Sequence, residues 1–125
     1  SSVDALGRTA SILGPPLAPT SGFAVIADSD GGALDGDPYH DRAVGPMQFL
    51  PSSWQAYALD GDGDGVVDPE NYYDAALAAA EHLCRGGADT GTEAGRRTAL
   101  LGYNGSSSYV GHVLAIRDRY LTLGW

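Results

Sequence analysis

Apolar residues recur at helical spacing mainly in the second half of this chain. Tyr72 to Leu83 (Tyr-Tyr-Asp-Ala-Ala-Leu-Ala-Ala-Ala-Glu-His-Leu) is built almost wholly from good helix formers, and Gly86-Gly87 supplies its stop. Pro51-Ser52-Ser53-Trp54 offers a capping serine ahead of an apolar turn and predicts a short helix through about Ala58. Thr92 to Leu101 predicts a third helix, with Arg96 and Arg97 outward and Leu100 and Leu101 inward. Ser106 to Leu121 predicts a fourth, with Tyr109, Val113, Ile116 and Tyr120 on one stripe. No segment alternates at period two over strand length, so the fold class expected is mainly α.

The first part of the chain reads differently. Residues 1–46 are rich in Gly, Pro, Asp and Ser, and Gly14-Pro15-Pro16, Asp30-Gly31-Gly32 and Asp35-Gly36-Asp37-Pro38 are turn punctuation. Only Phe23-Ala24-Val25-Ile26-Ala27 suggests a short buried element there. The expected organisation is one domain over 1–125, loop-rich over 1–46 and helical over 47–125, with Trp54 and Trp125 used in packing.

Charge narrows the partners. The chain carries a formal −9 from 16 acids and 7 basic residues, all of the latter arginine. Such a balance argues against nucleic acid, whose phosphates need a basic surface, and against docking on an anionic membrane. No run of about 18 apolar residues is present to span a bilayer, so no transmembrane segment is expected. The opening Ser1-Ser2-Val3-Asp4 lacks a signal-peptide pattern and looks like the interior of something longer. Cys84 stands alone, either a free buried thiol or one whose partner lies elsewhere. His40, His82 and His112 share no metal spacing.

The acids are not evenly spread. Asp60-Gly61-Asp62-Gly63-Asp64-Gly65-Val66-Val67 sets carboxylates at positions 1, 3 and 5 of a tight loop, glycine at 6 and a carbonyl at 7. Asn71 stands at position 12, where a bidentate glutamate is usual, and Asp74 at the head of the strongest helix can close the site instead. Asp60, Asp62, Asp64, the Val66 carbonyl and Asp74 are therefore expected to hold one hard cation, calcium first. A plain solvated Asp-Gly turn is the alternative.

Ala43-Val44-Gly45-Pro46-Met47-Gln48-Phe49-Leu50-Pro51-Ser52-Ser53-Trp54 resembles the lytic transglycosylases of the membrane-bound type B kind, in a secreted, actinobacterial-like version. The acidic loop closing on Asp74 and the set Tyr103, Asn104 and Tyr109 follow in the same order and spacing. The resemblance implies a lysozyme-like helical domain with an EF-hand-like calcium loop, acting outside the cytoplasm on peptidoglycan glycan strands. It implies cleavage of the MurNAc–GlcNAc β-1,4 bond by a lyase that leaves a 1,6-anhydromuramyl product. It further implies that Gln48, Tyr103, Asn104 and Tyr109 contact the sugar and that Met47 borders the cleft. Tyr103-Asn104-Gly105-Ser106 also reads as a plain helix stop and cap, and Tyr109 as core.

One departure matters most. The family's catalytic glutamate, which both donates and accepts the proton, lies upstream of the region matching this chain, so the sequence is expected to be N-terminally truncated. Glu70, Glu81 and Glu93 are the only glutamates, and none stands in a matching context. The catalytic acid is thus assigned to no residue here. Where membrane-bound members place a serine near that carboxylate, this chain has Tyr39. The alternative reading is an inactive peptidoglycan-binding module stabilised by calcium.

Overall fold

A computed structural model describes residues 2–124. Among them are four helices, α1 (Pro51–Tyr57), α2 (Tyr72–Arg85), α3 (Glu93–Tyr103) and α4 (Ser107–Thr122), and no strand beyond isolated bridges. The fold is mainly α with long irregular loops, as the hydrophobic pattern predicts. Two compact units divide the chain, Ser1–Ala80 and Glu81–Trp125. Trp125, expected in packing, lies outside the described residues.

In the first unit, the loop-rich segment is pinned by single antiparallel pairings: Leu13 with Val44, Ala27 with His40, and Arg8 with Asn71. Too short to form a sheet, these pairings leave many backbone amides to be satisfied by side chains. Aspartates do this. Asp28 accepts from the amides of Asp30, Gly31 and Gly32, and Asp35 from those of Asp37 and Arg42. Asp41, fully buried, accepts from both the amide and the hydroxyl of Ser29. The largest fully buried side chains among the described residues are Asn71, Asp41, Asp74 and Pro51, so this unit is held by polar bonds as much as by apolar contact. Its buried apolar residues are Val44, Phe49, Trp54, Ala75, Ala78 and Ala79, with the Phe49 and Trp54 rings edge to face at 5.4 Å.

Two expectations change here. The Phe23–Ala27 segment is not buried: Phe23 and Val25 are 62% and 58% exposed, because a single bridge holds the segment and it joins no sheet. The capping serine of α1 also gives way. Pro51 takes the first helical turn, where its missing N–H costs nothing, so the cap moves back to Leu50, which makes no side-chain cap bond.

The second unit is simpler. Gly87, at positive φ, closes α2 by donating to the Cys84 carbonyl. Thr92 caps α3 by accepting from the Gly95 amide, and Ser106 caps α4 by accepting from Tyr109, each worth about 1 kcal/mol. Leu100, Val110 and Leu114 form the core, with Leu83, Tyr109 and Val113 packed against it. The expected stripe is therefore rotated: Ile116 and Tyr120 are exposed, and so is Leu101. Arg96 is half-buried, not outward. Cys84 is a free, exposed thiol.

Candidate functional site

Sequence singles out the Gly45–Gln48 segment first. Val44 and Phe49, both buried, exchange backbone hydrogen bonds at 2.8 and 3.0 Å and close a turn between them. Within it the Gln48 amide donates to the Gly45 carbonyl at 3.0 Å, and the Gln48 side chain (Nε2) donates to the same oxygen at 2.9 Å. Gln48 is the one non-glycine residue among those described with positive φ, at 53°. A left-handed backbone costs a side-chain-bearing residue about 1–3 kcal/mol and persists only where surroundings enforce it. Here the enforcement comes from Gly45, whose own φ is 77° and whose backbone runs so close to the Pro69 carbonyl that no Cβ would fit. Gln48 is exposed on this rigid turn, and Met47 beside it is half-buried.

Tyr103, Asn104 and Tyr109 belong to the second unit. The Tyr103 ring lies 4.9 Å from that of His82. Burial, helped by nearby Tyr109, pushes the Tyr103 hydroxyl up to about 12, so it is a neutral donor throughout the physiological range. Burial pulls His82 down, favouring neutral imidazole. Asn104 ends α3 and accepts from the Ser106 amide through Oδ1, so its cap role is real; its exposed side chain leaves the amide nitrogen facing solvent. Tyr109 is half-buried against the unit's core.

The acidic loop adopts a fold that points its carboxylates inward. Asp60 accepts from the amides of Gly63 (2.6 Å) and Gly65 (2.9 Å), Asp62 from that of Asp64, and Asp64 from that of Val66. The Gly65 amide, then partial burial opposing it, then the Gly63 amide set the balance at Asp60, whose carboxyl sits below the usual range. Asp74, fully buried at the start of α2, accepts from Gly61 and Asp68 and so ties both ends of the loop to the helix. Oxygens sharing one calcium at about 2.3–2.6 Å must lie within roughly 5 Å of each other. Asp60, Asp62 and Asp74 each offer one within 4.8 Å, a donor set suited to a hard divalent cation. Asp64 instead directs Oδ2 to Arg8 at 3.3 Å, and Val66 is exposed.

Two supports of this loop escape sequence reading. Asn71 donates to Asp62 Oδ2 at 2.7 Å, and Arg8 reaches Asp64 from far upstream. A second acidic group, Asp28, Asp30 and Asp41, also converges within 4.8 Å. Its sequence signal, Asp28-x-Asp30-Gly31-Gly32, reads as turn punctuation, and Asp41 completes it only through folding.

The three glutamates are all occupied. Glu70 accepts from the Ile12 amide on one oxygen and the Thr9 hydroxyl on the other, while Glu81 and Glu93 pair with Arg85 and Arg97 one helical turn on. No helix among the described residues is long and apolar enough to cross a membrane. The family model described as the transglycosylase SLT domain matches residues 41–107, more than half of the chain. No curated protein and no solved structure matches it.

Proposed function

The chain belongs to the transglycosylase SLT domain family, and on that premise we propose that it is the glycan-holding part of a peptidoglycan lytic transglycosylase. The family match over 41–107 carries this reading. Within the family the likeness is to the membrane-bound type B kind in a secreted, actinobacterial-like version, working at the cell wall.

In the proposed reaction, one glutamic acid protonates the oxygen leaving muramyl C1 as the MurNAc–GlcNAc β-1,4 bond breaks. The resulting carboxylate then takes the proton of the C6 hydroxyl as that oxygen closes on C1, giving the 1,6-anhydro sugar without consuming water. In this reading the acid is none of Glu70, Glu81 and Glu93, which bond Thr9 and Ile12, Arg85, and Arg97 respectively and match no family motif. The residues present bind and orient. Gln48, held in one conformation by its turn, offers its amide to the sugar, with Met47 as the apolar edge. Tyr103 donates a hydroxyl hydrogen bond, the Asn104 amide meets an acetamido or hydroxyl group, and Tyr109 adds an aromatic wall. Asp60, Asp62 and Asp74 would hold calcium and so fix the loop against the head of α2, and the Val66 carbonyl and Asp64, the latter once released from Arg8, would complete the set.

The decisive comparison sets this chain against a version extended upstream through a helix bearing the family's glutamate. Only the extended version should release anhydromuropeptides from purified murein. Release by the 125-residue chain itself would overturn the assignment of the acid. Failure of both, with glycan binding retained, would favour the second reading, a calcium-stabilised binding module.

A further inference from the structure

The second unit carries a crevice of about 60 Å³ lined by Glu93, Arg96, Arg97, Leu114, Arg117 and Asp118. In a chain of net charge −9 it brings three of the seven arginines together. Arg97 and Arg117 are each bonded to an acid of the same crevice, Arg97 to Glu93 at 3.0 Å and Arg117 to Asp118 at 2.9 Å. Arg96 differs. Its Nη1 donates to the carbonyls of Thr90 and Gly91, both at 3.0 Å, which fixes the guanidinium plane with backbone oxygens that carry no charge. Its Nε is buried and makes no hydrogen bond, and no carboxylate among the described residues forms an ion pair with it. The crevice is therefore one negative charge short of neutrality around a cation that is already oriented.

We propose that this crevice binds a carboxylate group of the peptide stems carried by peptidoglycan. The inference rests on the transglycosylase reading for the identity of the polymer, but not for the chemistry of the crevice. A guanidinium cation pairs with a carboxylate through charge-assisted hydrogen bonds, and a fixed guanidinium loses little freedom on binding it. One carboxylate supplies the single charge that is missing, where a doubly charged phosphate would exceed it. Leu114 offers an apolar wall for the methyl groups of the alanines that flank such carboxylates. The glycan contacts would thus read the sugar backbone, and the α3–α4 crevice the peptide hung from it.

The full chain, isotopically labelled, is titrated by NMR with N-acetylmuramyl-L-alanyl-D-isoglutamine, which carries a single free carboxylate (the acid), with the diamide in which that carboxylate is also an amide, and with inorganic phosphate. Shifts should centre on residues 93–97 and 114–118 with the acid and be absent with the diamide. Arg117→Gln, which disturbs only a bond to its neighbour, should weaken binding about tenfold, the loss expected for one charge-assisted pair. Arg96→Gln should abolish it, and Arg119→Gln, outside the crevice, should leave it unchanged. Binding of the diamide as tight as that of the acid, an Arg117→Gln variant that binds like the parent, or phosphate shifting these residues where the acid does not would each overturn the proposal. A peptide-free N-acetylglucosamine oligomer separates the two readings. Shifts at Gln48 and Tyr103 with the oligomer but none at the crevice with the muramyl dipeptide sink this inference alone, whereas crevice shifts with the dipeptide but none at Gln48 and Tyr103 with the oligomer sink the glycan reading alone.

Discussion

Gly45 shows how one position sets another. Its left-handed backbone passes against the Pro69 carbonyl and hands the chain to Gln48 in the same unusual conformation. Gly45→Ala combines an unfavourable φ with a steric clash, so a loss of about 2–4 kcal/mol in chemical denaturation is expected. Gln48→Gly tests the opposite case. Glycine accepts φ 53° freely, offsetting the lost side-chain bond to Gly45, so the melting temperature should hold or rise while binding of chitooligosaccharide falls. Motif spacing marks Gln48 and Tyr103 as candidates, but neither the strained backbone of one nor the burial of the other is visible in the sequence, because each depends on residues packed from elsewhere. For Tyr103 the consequence is a raised ionisation. The fold favours the neutral phenol, so its contribution to stability is complete below the ordinary value of 10 and is lost as pH rises through about 12. Phenolate absorbance should show one tyrosine titrating near 12, and Tyr103→Phe should remove that step.

Among the elements, helix limits were legible and helix facing was not. Thr92, Ser106 and Gly86-Gly87 act as sequence chemistry dictates, since capping is settled within one turn. Facing on α4 is ambiguous because apolar residues lie at 109, 110, 113, 114, 116, 120 and 121, which supports two overlapping stripes. The structure chooses Val110 and Leu114, and Ile116 and Tyr120 are left exposed. Leu114→Ala should therefore cost about 2–4 kcal/mol, and Ile116→Ala no more than about 0.5 kcal/mol, in urea denaturation of the two variants. Equal losses would restore the sequence-derived stripe. Segment 23–27 is exposed for a related reason: apolar residues in a short run promise burial only where a neighbouring element covers them.

For the molecule as a whole, the acidic composition is a structural material. Aspartate side chains close loops that strands would otherwise hold, and the sequence reveals their number but not which amide each one meets. That dependence fixes the response to acid. The carboxyls of Asp28, Asp37 and Asp60 are all held below the ordinary 3.8. Desolvation opposes the amide bonds at Asp28, the Tyr39 amide leads at Asp37, and the Gly65 amide leads at Asp60. Because protonation is then favoured in the unfolded chain, their contribution is complete above 3.8 and is lost as pH falls through the folded values. His82, lowered by burial from 6.5, acts in the same direction and begins earlier. Melting temperature should thus decline gently below about pH 6.5 and steeply below about 4. Calcium should raise the melting temperature of metal-stripped protein at neutral pH, and Asp74→Asn should remove that response. A melting curve indifferent to both calcium and chelator would count against the cation site.

The same bonds bear on how the chain ages. Asp30-Gly31, Asp35-Gly36, Asp60-Gly61, Asp62-Gly63 and Asp64-Gly65 are the dipeptides in which the following amide nitrogen most readily attacks the side-chain carbonyl carbon, forming a succinimide that reopens as isoaspartate. That attack requires the carboxyl to swing back toward its own neighbour, and it proceeds best from the protonated acid. In the folded protein these carboxylates are tethered to amides or side chains further along, as when Asp60 grips Gly63 and Gly65 and Asp35 grips Asp37 and Arg42. Each tether must break before the carboxyl can turn to the attacking nitrogen. Peptide mapping after warm storage should therefore find isoaspartate accumulating at these pairs only once the loops have melted, so that a chemical scar records each excursion from the native state.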